Sequence, residues 1–496
     1  MQFLGIDLGS SSVKVSVFDL DEGRILAKAF YPKTELVIAV NSPMWAEQTP
    51  ETWWESLKGA LQEIKAVVNL KNIKAIGISY QMHGLVAIDK NLAPVRPAII
   101  WCDSRAVALG ADAFTGMGED NCLTNLLNSP GNFTASKLAW VKKYEPQTYA
   151  KIWKFMLPGD YIALKLSGVV TTTTSGLSEG IFWDFEKKEV SQELLTYFGF
   201  ERDMIPNIVP TVGFQCTLSR AVSDELGFSA NVPITYRAGD QPNNAMSLNV
   251  LAPGELATTA GTSAVIYAVT QDNLYDKKSR INTFVHVNDT IKNTRNGVLL
   301  CVNGAGILYS WLKKLLNVTQ SNVDYQELND LSKQAPIGSD GLHFFPFGNG
   351  AERILENKHL GGQLMHVDFN VHQTTHIIRA AKEGIVFAMN YGLEIIREMG
   401  VPTSHIKAGN SNLFQSPLFR SIFVNTTQIP LALYDTDGAE GAARAASAGL
   451  NTQSLVTVFG DLKPIETMEP EGALSNAYQI HYETWKAQLN KLLKIN

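Results

Sequence analysis

The chain has 496 residues, 45% of them hydrophobic and 18% charged, with a formal net charge of −6. That length exceeds one ordinary core, so two domains of roughly 200 to 250 residues are expected, with the composition of a soluble globular protein rather than a disordered one. No run of Lys and Arg forms a nucleic-acid footprint, so no nucleic-acid partner is expected, and the mild acidity is no obstacle to phosphate, which backbone amides bind without net positive charge. Cys102, Cys122, Cys216 and Cys301 are scattered, with no CxxC, as expected of reduced thiols in a cytoplasmic protein. No window approaches 18 uncharged apolar residues, and no charged leader precedes the first strand, so neither a membrane span nor secretion is expected. The glycosylation-type triplets at Asn132, Asn288, Asn317 and Asn425 are accordingly read as chance.

Residues 3–6 are apolar, 7–12 are small and polar, and Val13, Val15 and Val17 alternate with Lys14 and Ser16. That order predicts a strand, a tight Gly/Ser turn and a half-buried strand. Asp21-Glu22-Gly23 turns the chain into a third strand over Ile25 to Phe30. Thr49-Pro50 opens a helix, an N-cap followed by Pro at the first helical position, with Trp53, Leu57, Leu61, Ile64 and Val68 at helical spacing. Apolar strands at Ile73 to Ser79 and Leu85 to Ile88 flank the loop Tyr80-Gln81-Met82-His83-Gly84. Further on, the strand Ile234 to Ala238 ends in Gly239-Asp240-Gln241, just before a helix. Glu255 to Ala260, Gly261-Thr262-Ser263 and Ala264 to Val269 then repeat the opening pattern about 250 residues after its first appearance, a duplication on the scale of a domain. The boundary is placed within residues 245–252, giving domains 1–247 and 248–496. With no long Pro/Gly linker, the two are expected to pack closely around a cleft.

Small residues in the two repeated loops let backbone N–H groups approach a phosphate, and the hydroxyls of Ser10, Ser11, Thr262 and Ser263 add donors. Asp7, at the end of its strand, could hold Mg²⁺ through water. There is no Gly-x-x-x-x-Gly-Lys-[Ser/Thr], so this is not a P-loop protein. A histidine to orient hydroxyls and an aspartate to take a proton suit an enzyme acting on a polyol. Plainer alternatives stand beside each reading. The loops could be ordinary turns, Asp240 a helix N-cap, His83 a buried histidine bonded to a loop carbonyl and Met82 core filler. His372 and His376 have the spacing of a helical metal pair, but nothing acidic completes the motif, and no metal role is expected there.

Several of these strings carry a resemblance. Gly5-Ile6-Asp7-Leu8-Gly9-Ser10-Ser11-Ser12-Val13-Lys14 resembles the first phosphate-binding hairpin of the sugar-kinase and actin superfamily. With Gln81-Met82-His83-Gly84 and Gly239-Asp240-Gln241, the chain resembles the FGGY carbohydrate kinases. Within them, residues 77–86 resemble the xylulokinase branch, and Trp45-Ala46-Glu47-Gln48 and Arg96 to Arg105 continue the match. The resemblance covers roughly residues 3–450 and is looser in the second half. Gln241 stands where xylulokinases usually carry Asn and is what glycerol kinases show, while Arg237-Ala238 replaces a Gly pair. Asn132 and Tyr144 break the first family signature, and His366 and Lys382 break the second. Ala351-Glu352-Arg353 resembles a Gly-Glu-Arg step near the nucleotide cleft, and the adenine-side loop Ala408 to Phe414 carries a short insertion. The run Gly438 to Ala446 reads as a closely packed helix behind the adenosine pocket, with an interface as the alternative.

The resemblance implies an α/β fold of two duplicated RNase-H-like domains, of the actin and sugar-kinase ATPase kind, around a central cleft. It implies phosphorylation of a ketopentose by ATP with Mg²⁺, D-xylulose to D-xylulose 5-phosphate, with Asp240 as general base. Gln81, Met82, His83, Asp240 and Gln241 would bind the sugar. Gly9, Ser10, Ser11, Gly261, Thr262 and Ser263 would hold phosphates, Gly306, Gly409 and Asn410 the rest of the nucleotide, and Asp7 the metal. The implied partners are a small sugar and ATP, with no membrane; a homodimer is left open. Two other readings stay open: a kinase for ribulose or glycerol, and a non-catalytic actin-like nucleotide switch, which would need neither Asp240 nor His83.

Overall fold

The computed structural model describes residues 1–317 and 323–495; the Asn317 triplet runs outside the described residues. Two mixed sheets organise the chain. The first comprises β1 (Gln2–Leu8), β2 (Val13–Asp19), β3 (Arg24–Tyr31), β4 (Ile73–Tyr80), β5 (Val212–Thr217) and β6 (Pro233–Gly239), in the order β5-β6-β4-β1-β2-β3. β1, β2 and β3 are antiparallel, β4 and β6 continue parallel to β1, and β5 closes the edge antiparallel. The second comprises β7 (Glu255–Ala260), β8 (Ala264–Thr270), β9 (Asn282–Val285), β10 (Asn296–Val302), β11 (His405–Gly409), β12 (Leu431–Tyr434) and β13 (Glu466–Met468). Its order β9-β10-β8-β7-β11-β12-β13 repeats the plan, three antiparallel strands followed by two parallel ones. The duplication expected from one strand-loop-strand element therefore extends over both whole sheets.

Seven helices matter to the site: α1 (Pro50–Ile64), α2 (Thr134–Tyr144), α3 (Thr174–Glu179), α4 (Asp240–Ser247), α5 (Gly306–Leu316), α6 (Thr374–Glu398) and α7 (Gly438–Gly449). α1 begins at Pro50, as its sequence predicts, and buries Trp53, Leu57, Leu61 and Ile64 against the valine face of β2. It ends at Ile64 rather than running on to Val68, which a following turn tucks into the same core. No helix among the described residues is long and apolar enough to cross a membrane.

One helix of each half crosses to the other. α4 follows the first sheet yet packs on β7 and β8, while α7, encoded between β12 and β13, lies across β1, β4 and β6. The Ala-rich run is thus not behind the adenosine pocket as expected; it lies against the opposite sheet. Its composition explains the fit. A Cβ on Gly5 would fall 1.8 Å from the carbonyl oxygen of Ala439, and one on Gly77 2.1 Å from that of Ala442. Bare strand positions face the alanines of α7, so helix and sheet meet backbone to backbone. The buried Arg444 is made tolerable there by a 3.0 Å ion pair to Glu440 and by the Phe18 ring, 4.2 Å from its guanidinium.

Because the obstacle at Gly77 is helix backbone, Gly77→Ala must displace α7. It is expected to cost about 1–3 kcal/mol or more, read as a clear fall in Tm. Gly472→Ala, with nothing within 4 Å of its new methyl, should leave Tm unchanged.

Candidate active site

Asp7 is the penultimate residue of β1, and Asp240 is the first residue of α4, directly after β6. β1 and β6 flank β4 in parallel, so both carboxylates emerge at the same edge of the sheet, where open α/β sheets bind ligands. The N-cap of α4 is Gly239, with no side-chain cap, so Asp240 does not serve as the cap. Burial pushes the Asp240 carboxyl up to about 7, with the charge of Asp7 adding to it and Gln241 opposing. Asp7 is raised as well, chiefly by burial, against the pull of Lys14, whose Nζ is 4.0 Å from Oδ2. Both residues keep some contact with solvent; it is the depth of surrounding protein that makes their charges costly. Two carboxyls raised by burial at one sheet edge mark a candidate functional site.

His83 occupies left-handed backbone space, φ 61°, a conformation uncommon outside glycine, and several bonds hold it there. Its Nδ1–H donates to the backbone oxygen of Glu179 at 2.9 Å, which fixes the tautomer and leaves Nε2 as an acceptor. Burial, then Lys137, pushes its pKa down to about 3, so the ring is neutral. The Phe133 ring stands 4.7 Å away, and Phe284, from β9 of the opposite half, 5.4 Å away. Lys137 of α2, wholly buried, donates to the carbonyls of His83 at 2.8 Å and Ile100 at 3.0 Å, and burial lowers it to about 7. Met82 is buried with its Cγ beside Gly239. Gln81 turns away from the sugar side. Its Nε2 donates to Gln48 Oε1 at 3.3 Å, and Gln48 in turn donates to the carbonyl of Ser10 at 2.7 Å, so Gln81 ties the loop to the first phosphate hairpin. The structure therefore brings Met82, His83, Asp240 and Gln241 together and gives Gln81 a supporting position.

In the second half, a cavity of about 630 Å³ is lined by Gly261, Thr262, Gly306, Tyr309, Asn329 and Ser416, among others. Gly306 N–H donates to the Gly261 carbonyl at 2.8 Å and Ile307 N–H to that of Thr262 at 3.1 Å, pinning the second hairpin to the start of α5. Glu352 accepts from the Asn303 N–H at 3.1 Å and backs the same turn, while Arg353 reaches the sugar side, 5.6 Å over the Phe133 ring. Gly409 ends β11, and Asn410 N–H donates to the Tyr434 carbonyl at 2.9 Å. They shape the turn, and the cavity lining begins one residue later at Ser411. Lys382, at a position the family signature makes apolar, is buried on Asn329, Ser332 and Ser416 at 2.8, 2.9 and 3.0 Å, bracing the cavity wall. Gly9 N–H bonds the Ser12 carbonyl at 3.0 Å to close the first hairpin. Ser10 and Ser11 remain accessible there, as do Thr262 and, in part, Ser263 opposite.

His372 lies ahead of α6 rather than within it, and both it and His376 turn to Asp340, at 3.3 and 3.1 Å. Among the described residues no group of three or more His, Cys, Asp or Glu could hold a metal. A Mg²⁺ ion, which takes one or two carboxylates and completes its shell with water and phosphate, would find such a carboxylate in Asp7.

Two sheets of one plan, with paired hairpins facing across a cleft and titratable carboxyls at its floor, define an actin-like phosphotransferase fold. Comparison with known proteins makes it specific. Residues 2–247 match the N-terminal domain of the FGGY family of carbohydrate kinases and residues 256–450 its C-terminal domain. The chain belongs to that family, and it is a sugar kinase. A xylulose kinase of Haemophilus influenzae is 29% identical, covering 99% of this chain and 100% of its own. Among solved structures, a xylulose kinase of Rhodospirillum rubrum superposes with TM-score 0.90 at 21% identity (100% of this chain, 99% of that one). A glycerol kinase of Plasmodium falciparum gives 0.86 at 19% (98% of each). At these identities the structural likeness speaks for the fold.

Lys137 carries no motif of its own in the sequence; its role depends on complete burial, which no periodicity reveals. Lys137→Met would leave the two loop carbonyls without a donor, at about 1–3 kcal/mol each. The sugar KM is expected to rise with the ATP KM unchanged and the circular dichroism spectrum retained.

Proposed function

We propose that the protein phosphorylates a ketopentose with ATP, D-xylulose to D-xylulose 5-phosphate, with Asp240 as general base. The observation that carries this reading is the contact of Met82 with Gly239, which sets the Met82-His83 loop and Asp240 on one wall. On this reading, residues 1–247 bind the sugar and residues 248–496 the nucleotide. Neutral His83 accepts a sugar hydroxyl at Nε2, and Asp240 accepts the proton of the terminal hydroxyl as its oxygen attacks the γ-phosphorus. Ser10, Ser11, Thr262 and the hairpin amides hold the phosphates in line. Asp7 would hold Mg²⁺, which when bound supplies charge neutralisation on the phosphates. Phe284, packed on His83 from the other half, would help exclude water. A kinase for glycerol is the second reading, favoured by Gln241 beside the base.

ADP release measured with D-xylulose, D-ribulose and glycerol decides between them. The highest kcat/KM is expected for D-xylulose; glycerol far ahead of both ketoses would overturn the assignment. Asp240→Ala should keep the fold while kcat falls by about 10² to 10⁴. A base must be ionised to act, and burial raises the pKa of Asp240 to about 7. Activity is therefore expected to fall about tenfold per pH unit below that value and to level off above it. The residual activity of Asp240→Asn should lack this limb.

A further inference from the structure

Glu179 is the last residue of α3 and is 1% exposed. Neither carboxyl oxygen makes a hydrogen bond within the described residues. The Tyr80 hydroxyl and the His83 backbone N–H are the donors that approach it, and both pull its pKa down. Among the described residues no cation is hydrogen-bonded to it. Arg237 is taken by Asp160 at 2.9 Å and by Thr171 at 3.1 Å, and Lys137 donates to the carbonyls of His83 and Ile100, its charge reaching Glu179 only through space. The position is as telling as the isolation. Oε2 of Glu179 lies 2.4 Å from where a Cβ on Gly239 would sit, and Cγ of Met82 lies 2.5 Å from that point. Its backbone oxygen is the partner of His83 Nδ1. Glu179 is thus in contact with Met82, His83 and the residue preceding Asp240. Burial, followed by the charges of Asp240 and Asp160, raises its carboxyl well above the usual range.

A buried carboxyl bonded this weakly destabilises a fold, and a ligand with donors would offset that cost. We propose that Glu179 is a specificity-determining residue of the acceptor site, its carboxyl hydrogen-bonding a sugar hydroxyl other than the one phosphorylated. Through the bond from Nδ1 to the Glu179 backbone, the carboxyl and the free Nε2 of His83 are held as one unit. Such a pair suits two neighbouring hydroxyls of a polyol. With one hydroxyl committed to Asp240, the acceptor must offer at least three. The inference rests on the sugar-kinase reading of this wall and deepens it.

Glu179→Gln keeps the shape and exchanges a carboxyl oxygen for an amide. The sugar KM is expected to rise roughly 3- to 10-fold, the range for a hydrogen bond between uncharged groups, with the ATP KM within about twofold. Ketopentose analogues lacking one hydroxyl at a time then locate the contact. One of them should bind weakly to the wild type yet lose nothing further in Glu179→Gln. Tm should hold or rise, and rise more clearly in Glu179→Met, which replaces a costly buried acid by an apolar side chain and also keeps the proposal testable should the Gln variant fail to fold. An unchanged sugar KM and analogue pattern would overturn the proposal. So would a lower Tm in both variants with both KM values rising together, because Glu179 would then be part of the scaffold. If the wild type prefers an acceptor other than a ketopentose, the functional assignment falls, and the Glu179 proposal is judged on that acceptor by the same split between acceptor and ATP.

Discussion

The backbone-to-backbone contact of α7 with the first sheet is the constraint on which the rest of the architecture depends. A helix encoded next to the nucleotide half is seated on the strands that carry Asp7 and the sugar loop. Its N-terminus arrives at the site itself: a Cβ on Gly438 would lie 2.9 Å from Asp7 Oδ2, and its carbonyl accepts from Asn243 of α4 at 3.0 Å. The two crossing helices thereby fix the phosphate hairpins and the two carboxyls relative to one another. Positioning is most of what phosphoryl transfer asks of a protein.

Within that frame, the electrostatics divide the buried charges into two kinds. Arg237, Arg444, Lys137 and Lys382 each have named partners at hydrogen-bond distance, and they brace loops and walls. Asp7, Asp240 and Glu179 are left short of compensation, and their pKa values are raised. Removing a cation of the first kind strands its partners. A carboxyl of the second kind is a standing cost that only chemistry or a ligand offsets.

Much of this was legible in the chain. The alternation of Val13, Val15 and Val17 and its echo near residue 264 disclosed both sheets, and strand ends in Asp7 and Asp240 marked the site. Residue types whose meaning depends on remote partners were not legible. The alanines of α7 announced close packing but not which sheet they meet, because that depends on glycines at positions 5 and 77, far away in sequence. Gln81 lay in the right string yet points to Gln48. Glu179 sits in a stretch of Thr, Ser and Gly with no motif to mark it; only the fold reveals that its carboxyl ends buried beside Gly239. Arg237 was visible as a departure from the family pattern, and the structure supplies the reason it is tolerated, the buried Asp160.

The central claim is that one wall carries both the acceptor and the base. A crystal structure of the complex with D-xylulose, a non-hydrolysable ATP analogue and Mg²⁺ tests it most directly. The account predicts the terminal hydroxyl oxygen within about 3 Å of the Asp240 carboxylate, with Met82 and His83 lining the remaining carbons and the analogue's phosphates between the two hairpins. A sugar bound away from the Met82-His83 loop, or a terminal hydroxyl beyond the reach of Asp240 in a closed complex, would contradict it.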